Sequence, residues 1–196
     1  QWVEPVDIVN AALEHRQRRL AGHPVTLDLD SNLPIVRVDP AQVEQALSQI
    51  LDNAAKYSPD GAPIRVTAKA REQTIVLSVH DSGTGITEEE KLRVGERFFR
   101  GPRHAANSSG SGLGLWVANA FIGANGGSVD VESEGAGQGT TVSIRLPQSP
   151  EPASIEAVSA DSMPAQPLPA APVSAEAPSM KPKRDESVPM EASVDE

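Results

Sequence analysis

Two carboxamides and a lysine follow one another at helical spacing near the middle of the chain. Gln49, Asn53 and Lys56 lie on one face of a predicted helix, because residues three or four positions apart share a helix face. A carboxamide can bind a hard cation through its oxygen and donate through its nitrogen, and a lysine can contact a phosphate. This face could bind a metal nucleotide, although a polar helix face is more often simply solvated.

A second group is the turn Asp81-Ser82-Gly83-Thr84-Gly85-Ile86, which directly follows a predicted strand. The carboxylate of Asp81 could accept a hydrogen bond from the exocyclic amine of adenine. Guanine presents a carbonyl oxygen at the same place and would be repelled. The structural alternative is an ordinary Asp-Ser-Gly turn.

A third group is the glycine-rich run Gly110-Ser111-Gly112-Leu113-Gly114-Leu115, which opens a predicted helix. Free backbone N–H groups and the helix dipole make such a start an anion site, and glycine lets a phosphate approach closely. The spacing matches neither the dinucleotide pattern G-x-G-x-x-G nor the P-loop pattern, so the sequence disfavours both of those nucleotide folds.

A long predicted lid, residues 87–111, separates the second group from the third. It is rich in charge, serine and glycine, with at most one helical turn near its start. Phe98 and Phe99 would anchor this lid, meet a partner or form a small satellite core. Nearby arginines could reach phosphates or could be solvated: Arg97, Arg100 and Arg103.

The predicted secondary structure would position these groups around one sheet. Helices are expected from Pro5 to about Leu20, from Pro40 to about Tyr57 and from Leu113 to Ala124. Alternating apolar residues predict strands at residues 25–29, 35–38, 64–70, 75–80, 129–131 and 141–146. This order favours an α/β (α+β) two-layer sandwich, in which a mixed, mostly antiparallel sheet is covered on one face by helices.

The amide-bearing helix has a marked start and a continuous apolar stripe. Asp39 is expected to cap it, with Pro40 at the first position and Gln42 completing a capping box. The stripe, which would face the core, consists of Val43, Ala46, Leu47, Ile50, Leu51 and Ala54.

Composition divides the chain into two parts. The net charge is −10, and from Glu151 onward eight prolines, nine acids and three bases occur without any aromatic residue. We therefore predict one domain over residues 1–148 and a disordered acidic Pro/Ala-rich tail over 149–196.

The absence of cysteine excludes disulfides and zinc-finger spacing. The net acidity disfavours nucleic acid as a partner, and no apolar run approaches a membrane span.

In their order and spacing, these motifs resemble the catalytic ATP-binding domain of bacterial sensor histidine kinases. That domain belongs to the superfamily shared with gyrase, the Hsp90 chaperones and MutL. The resemblance covers nearly all of residues 1–147 and includes the asparagine helix, D-x-G-x-G, the Phe-Phe-Arg segment and G-x-G-L-G-L. Four motifs in series are far more specific than any one of them, and they imply ATP and Mg²⁺ as cofactors.

The resemblance also implies a role for each matching residue. Asn53 would contact the phosphates and the magnesium ion, Lys56 would touch a phosphate, and Tyr57 would lie against the adenine. Gln49 and Asn53 would be the metal ligands, and the groups acting on the transferred phosphoryl would be Asn53, Lys56, Arg97 and Arg100. The nucleotide-binding set would further include Asp81, Gly83, Gly85, Ile86, Phe98, Gly110, Ser111, Gly112, Leu113, Gly114 and Leu115.

One position departs from the family pattern. Kinases of this family usually have asparagine where this chain has Gln49, and the ATP-hydrolysing relatives have a glutamate that activates water. Gln49 can offer a carbonyl oxygen to magnesium, but it cannot act as a general base. We therefore expect slow hydrolysis of ATP by water and transfer to a positioned acceptor instead.

The resemblance implies transfer of the γ-phosphoryl group to a histidine on an upstream dimerisation domain, for relay to a response regulator. None of His15, His23, His80 and His104 has the acceptor context H-[ED]-x-x-[TN]-P. The full-length protein would be a homodimer, and this segment would be cytoplasmic without inserting into a membrane, whether or not the whole protein is membrane-anchored. The alternatives are a degenerate ATP-binding or protein-interaction module without turnover, and an ATPase of the same superfamily.

Overall fold

The computed structural model describes residues 1–101 and 111–148. Arg103, Gly110, most of the second half of the predicted lid and the predicted tail lie outside these ranges, so the division into domain and tail stays a prediction. The helices are α1 (Pro5–Leu20), α2 (Pro40–Tyr57), α3 (Glu88–Lys91) and α4 (Gly114–Ala124). The strands are β1 (Trp2–Val3), β2 (Val25–Leu29), β3 (Val36–Arg37), β4 (Ile64–Arg71), β5 (Thr74–Asp81), β6 (Ser128–Glu132) and β7 (Thr140–Pro147).

Five strands form one sheet in the order β2-β4-β5-β7-β6. Only β2 and β4 pair in parallel, while the other neighbours are antiparallel, so the predicted mixed, mostly antiparallel sheet is confirmed. The register places Asp81, at the end of the central strand β5, between Ile64 and Thr140. Strand β3 was predicted, but its smaller pairing with β1 was not, because the two residues of β1 are too few to show periodicity.

The core lies between the sheet and the helices. Alternate residues of β5 are buried, and the six predicted stripe residues of α2 are all at most 2% exposed. Helix α2 contacts β5, β7 and both of the other long helices, so it is the central element of the helical layer. The predicted two-layer sandwich is confirmed, and its central helix is the one that carries the amides. None of the helices in the described ranges is long and apolar enough to cross a membrane.

Only half of the predicted capping box forms at the start of α2. The Asp39 carboxylate accepts from the backbone N–H groups of Ala41 (3.0 Å) and Gln42 (3.3 Å). In a complete capping box, the side chain of Gln42 would accept from the backbone N–H of Asp39. Here Asn125 takes that place: its side chain accepts from Asp39 N (2.7 Å) and donates to Gln42 Oε1 (3.0 Å). A residue at the end of α4 therefore completes the cap and fixes α4 against α2.

Candidate functional site

A cavity of about 310 Å³ lies among α2, the end of β5, the lid segment and the start of α4. Most of the described residues that the sequence assigns to the site line it. These are Gln49, Asn53, Lys56, Tyr57, Asp81, Gly85, Ile86, Arg100, Ser111, Gly112, Gly114 and Leu115. Gly83, Arg97, Phe98 and Leu113 do not line it, and Gly110 lies outside the described residues.

Asp81 forms one end of this cavity and is only 6% exposed. Its Oδ1 accepts from the backbone N–H of Gly83 at 2.8 Å, which fixes the carboxylate orientation. Burial raises the pKa of the Asp81 carboxyl, and the N–H groups of Gly83 and Thr140 only partly offset that effect. A fixed, partly desolvated acceptor of this kind suits an amino group that enters the cavity.

The glycines after Asp81 are required by close backbone packing. A Cβ on Gly83 would lie 2.5 Å from the carbonyl oxygen of Tyr57, and one on Gly85 would lie 2.0 Å from that of Gly135. Gly85 also has a φ of +63°, in the left-handed region. Gly83 therefore packs against the end of α2 without lining the cavity. Gly85 packs against Gly135 and also lines the cavity.

The other end of the cavity joins the amides of α2 to the start of α4. A Cβ on Gly114 would meet Gln49 Oε1 at 3.0 Å and both amide atoms of Asn53 within 3.8 Å. Glycine at this position thus lets the amides approach the first N–H groups of α4, where the helix dipole favours an anion. Lys56 adds a cation at the rim, where its Nζ donates to the Tyr57 hydroxyl at 3.2 Å.

The donor set at this end fits magnesium carried by a nucleotide. Among the described residues, no group of three or more histidine, aspartate or glutamate side chains could hold a metal ion. Mg²⁺ commonly takes only one or two protein oxygens and completes its shell with phosphates and water. The amide oxygens of Gln49 and Asn53 meet that requirement.

In the lid segment, the two adjacent phenylalanines take opposite environments. Phe99 lines the cavity, whereas Phe98 is 63% exposed and has a φ of +63°. The Phe98 N–H donates to the Gly112 carbonyl at 3.0 Å, which ties the middle of the lid segment to the residue that directly follows it. The sequence assigned Phe98 to the nucleotide, but the structure turns Phe99 towards the cavity instead.

The lid arginines divide in the same way. The guanidinium of Arg97 lies 4.7 Å from the ring centroid of Trp116 and 5.3 Å from that of Phe98, outside the cavity. Arg100 lines the cavity. Of the two arginines predicted to act on the phosphoryl group, only Arg100 is therefore positioned to contact a ligand in this conformation.

Several residues that line the cavity were not found from the sequence. Thr84, Glu90 and Thr140 approach it from the turn after β5, from α3 and from the start of β7. Arg19 and Asp52 approach it from α1 and α2. Two of these residues had a readable sequence signal. Thr84 lies within the turn Asp81-Ser82-Gly83-Thr84-Gly85-Ile86, and Glu90 completes a capping-box pattern that begins at Thr87.

Comparison with known proteins agrees with this geometry. The family described as "Histidine kinase-, DNA gyrase B-, and HSP90-like ATPase" matches residues 38–150. Sporulation kinase E of Bacillus subtilis is 37% identical over 145 residues, which cover 74% of this chain and 18% of that protein. Sensor protein SrrB of Staphylococcus aureus is 37% identical over 111 residues, which cover 56% of this chain and 19% of that protein.

Solved structures extend the likeness to three dimensions. The mycobacterial sensor histidine kinase MprB is 30% identical with a TM-score of 0.67, over 76% of this chain and 98% of that chain. Full-length ShkA in complex with AMPPNP is 26% identical with a TM-score of 0.66, over 75% of this chain and 30% of that chain.

The chain belongs to the family of histidine kinase-, DNA gyrase B- and HSP90-like ATPases, and its relatives are sensor histidine kinases. The resemblance drawn from the four motifs is thereby confirmed, as is the fold expected from it. The chain spans less than a fifth of the length of the curated relatives described above.

Proposed function

We propose that this chain is the Mg-ATP-binding catalytic domain of a sensor histidine kinase and that ATP binds in the cavity described above. The observation that carries this proposal is the convergence of three groups on one cavity. These are the buried carboxylate of Asp81, the amides of Gln49 and Asn53, and the start of α4. The structural relative ShkA, solved with AMPPNP, supports an adenine nucleotide as the ligand.

In this proposal the chain acts mainly by positioning. Asp81 accepts a hydrogen bond from the adenine amine, while Asn53 and the first N–H groups of α4 orient the phosphates. Magnesium, when held by the amide oxygens of Gln49 and Asn53, offsets the negative charge of the phosphates. Lys56 and Arg100 add cationic charge as the γ-phosphorus moves in line from the β-phosphate oxygen to an imidazole nitrogen.

The acceptor imidazole comes from another domain in this proposal. The described histidines do not line the cavity, and each already has a partner: His15 bonds Glu44, His23 the Ala62 carbonyl and His80 Thr141. By analogy with its sensor kinase relatives, the acceptor belongs to a dimerisation domain and passes the phosphoryl group to a response regulator. Because ATP is the substrate, we also propose that this domain faces the cytoplasm.

The direct test uses the full-length protein and ATP labelled at the γ-phosphate. We expect an acid-labile phosphohistidine outside residues 1–148 and no labelling of the isolated chain. If the full-length protein binds ATP but forms no phosphohistidine, the kinase function is contradicted and the degenerate binding module becomes the better explanation. Steady phosphate release by the isolated chain would favour the ATPase.

Gln49 allows the kinase and the ATPase to be separated by one substitution. We expect Gln49→Glu to raise phosphate release from ATP by the isolated chain about 100-fold, because a carboxylate can take a proton from water and an amide cannot. Gln49→Asn is the matched control, since it changes the side-chain length without adding a base. An equal increase in both variants would mean that geometry, and not proton transfer, limits hydrolysis.

Asp81→Asn tests the adenine assignment. We expect ATP affinity to fall about 10- to 100-fold with little change for GTP, because a hydrogen bond to a charged group is worth about 1.5–3 kcal/mol. Calorimetry with both nucleotides measures this difference, and Asp60→Asn, in an exposed turn outside the cavity, is the control. Equal binding of ATP and GTP to the wild type would remove the adenine role.

The same variant has a pH signature. The pKa of Asp81 is raised above its ordinary value of 3.8, so its stability contribution is full below that value and is lost as pH rises through the folded-state pKa. As pH rises from about 4 through the raised pKa of Asp81, the free energy of unfolding of the wild type should therefore fall relative to that of Asp81→Asn. Denaturant unfolding at several pH values measures this, and parallel pH profiles would contradict it.

A further inference from the structure

Arg19, in the last turn of α1, is exposed and lines the cavity. It lies upstream of residues 38–150, the segment matched by the family, and none of the sequence motifs includes it. Helix α1 itself is firmly placed, since Ile8, Val9 and Ala12 are at most 2% exposed. Arg19 is therefore presented to the cavity by a fixed element and not by the lid.

The charges around the cavity make this arginine significant. Three carboxylates line it, Asp52, Asp81 and Glu90, and three cations oppose them, Arg19, Lys56 and Arg100. A nucleoside triphosphate brings several further negative charges. Each cationic side chain that can reach its phosphates therefore contributes to binding. Lys56 already donates to Tyr57. The side chain of Arg19, by contrast, makes no hydrogen bond or ion pair with any residue in the described ranges.

A neighbouring ion pair explains why Arg19 remains available. Asp52 would be the natural partner for a cation on this side of α2, but its Oδ2 lies 3.2 Å from Arg16 Nε. Arg16 is one turn before Arg19 on α1, so the two arginines share a helix face. Arg16 thus offsets the charge of the carboxylate nearest to Asn53 in sequence and leaves Arg19 unpaired at the cavity.

We propose that Arg19 is a further nucleotide-binding residue, whose guanidinium contacts a phosphate of the bound nucleotide from helix α1 and not from the lid. A guanidinium suits this role because its parallel N–H groups match two phosphate oxygens. The inference rests on the proposed function, since it requires a nucleotide in the cavity. It adds a contact from α1, an element that no motif assigned to the site.

The test compares Arg19→Gln with Arg18→Gln, because both residues are exposed cations in the same helical turn and only Arg19 lines the cavity. Affinities for adenosine, AMP, ADP and ATP are measured on the whole chain at about 0.15 M ionic strength, where charges more than about 8 Å apart are largely screened. We expect Arg19→Gln to weaken binding of ATP about three- to tenfold and to leave adenosine unchanged. Arg19→Lys should recover part of the loss, and Arg18→Gln should match the wild type.

The outcomes separate this inference from the function on which it rests. If the loss of affinity in Arg19→Gln first appears with AMP, with ADP or with ATP, the contact is supported. The nucleotide at which the loss first appears identifies the phosphate that Arg19 contacts. Equal loss for adenosine, or no loss for any nucleotide, overturns the role of Arg19 while ATP binding by the wild type still stands. Failure of the wild type to bind ATP would overturn both proposals together.

Discussion

Replacing Asn53 with aspartate should weaken binding of Mg-ATP about 100-fold. The side chain lines the cavity, and its amide atoms lie beside Gly114 at the start of α4, where the phosphates are proposed to bind. The substitution removes a donor and adds a charge of the same sign as the phosphates. Two such charges about 4 Å apart repel by about 4 kcal/mol at an effective dielectric constant of about 20. Lys56 and the metal ion offset part of that repulsion.

The control for this variant is Gln45→Glu, which adds the same charge to an exposed position of the same helix outside the cavity. Calorimetric titration with ATP, with and without Mg²⁺, measures both variants. Unchanged affinity in Asn53→Asp would show that the phosphates bind elsewhere. A rise in affinity only when Mg²⁺ is present would mean that Asn53 acts through the metal alone, because a carboxylate is also a good Mg²⁺ ligand.

Replacing Gly85 with alanine should lower the free energy of unfolding by about 2–5 kcal/mol and should also weaken nucleotide binding. The new Cβ would lie 2.0 Å from the Gly135 carbonyl oxygen, at a φ of +63°. Left-handed backbone costs a residue with a Cβ about 1–2 kcal/mol, and overpacking adds about 1–3 kcal/mol. The site is affected because Gly85 lines the cavity and the next N–H, of Ile86, donates to Ser133 Oγ at 3.0 Å.

Gly61→Ala separates the two causes of this loss. Gly61 has a φ of +79°, but a Cβ there would meet no atom within 4 Å. The free energy of unfolding of Gly61→Ala should therefore fall only by the cost of the left-handed backbone, about 1–2 kcal/mol, and the variant should keep wild-type affinity for ATP. Denaturant unfolding followed by circular dichroism compares the variants, and equal losses would contradict the close approach of Gly85 to Gly135.

The sequence by itself was sufficient for most of the architecture. The apolar stripe of α2, the alternation along β4 and β5 and the glycines near the helix ends are local patterns, and each predicted element formed close to its expected bounds. The family also followed from the sequence, because four motifs in a fixed order are specific even when each one is weak. These patterns can be read without the fold, because the spacing of apolar residues along the chain indicates whether a helix or a strand would present one apolar face.

Only the tertiary structure decided which side chains meet at the site. Adjacent phenylalanines in a lid carry no periodic signal, so the inward turn of Phe99 and the outward turn of Phe98 depend on the bond from Phe98 to Gly112. The cap at Asp39 is completed by Asn125, 86 positions later. Arg19 likewise reaches the cavity only because α1 packs on α2. Each of these contacts joins residues that are distant in sequence, and such pairings are set by the packing of whole elements and not by local pattern.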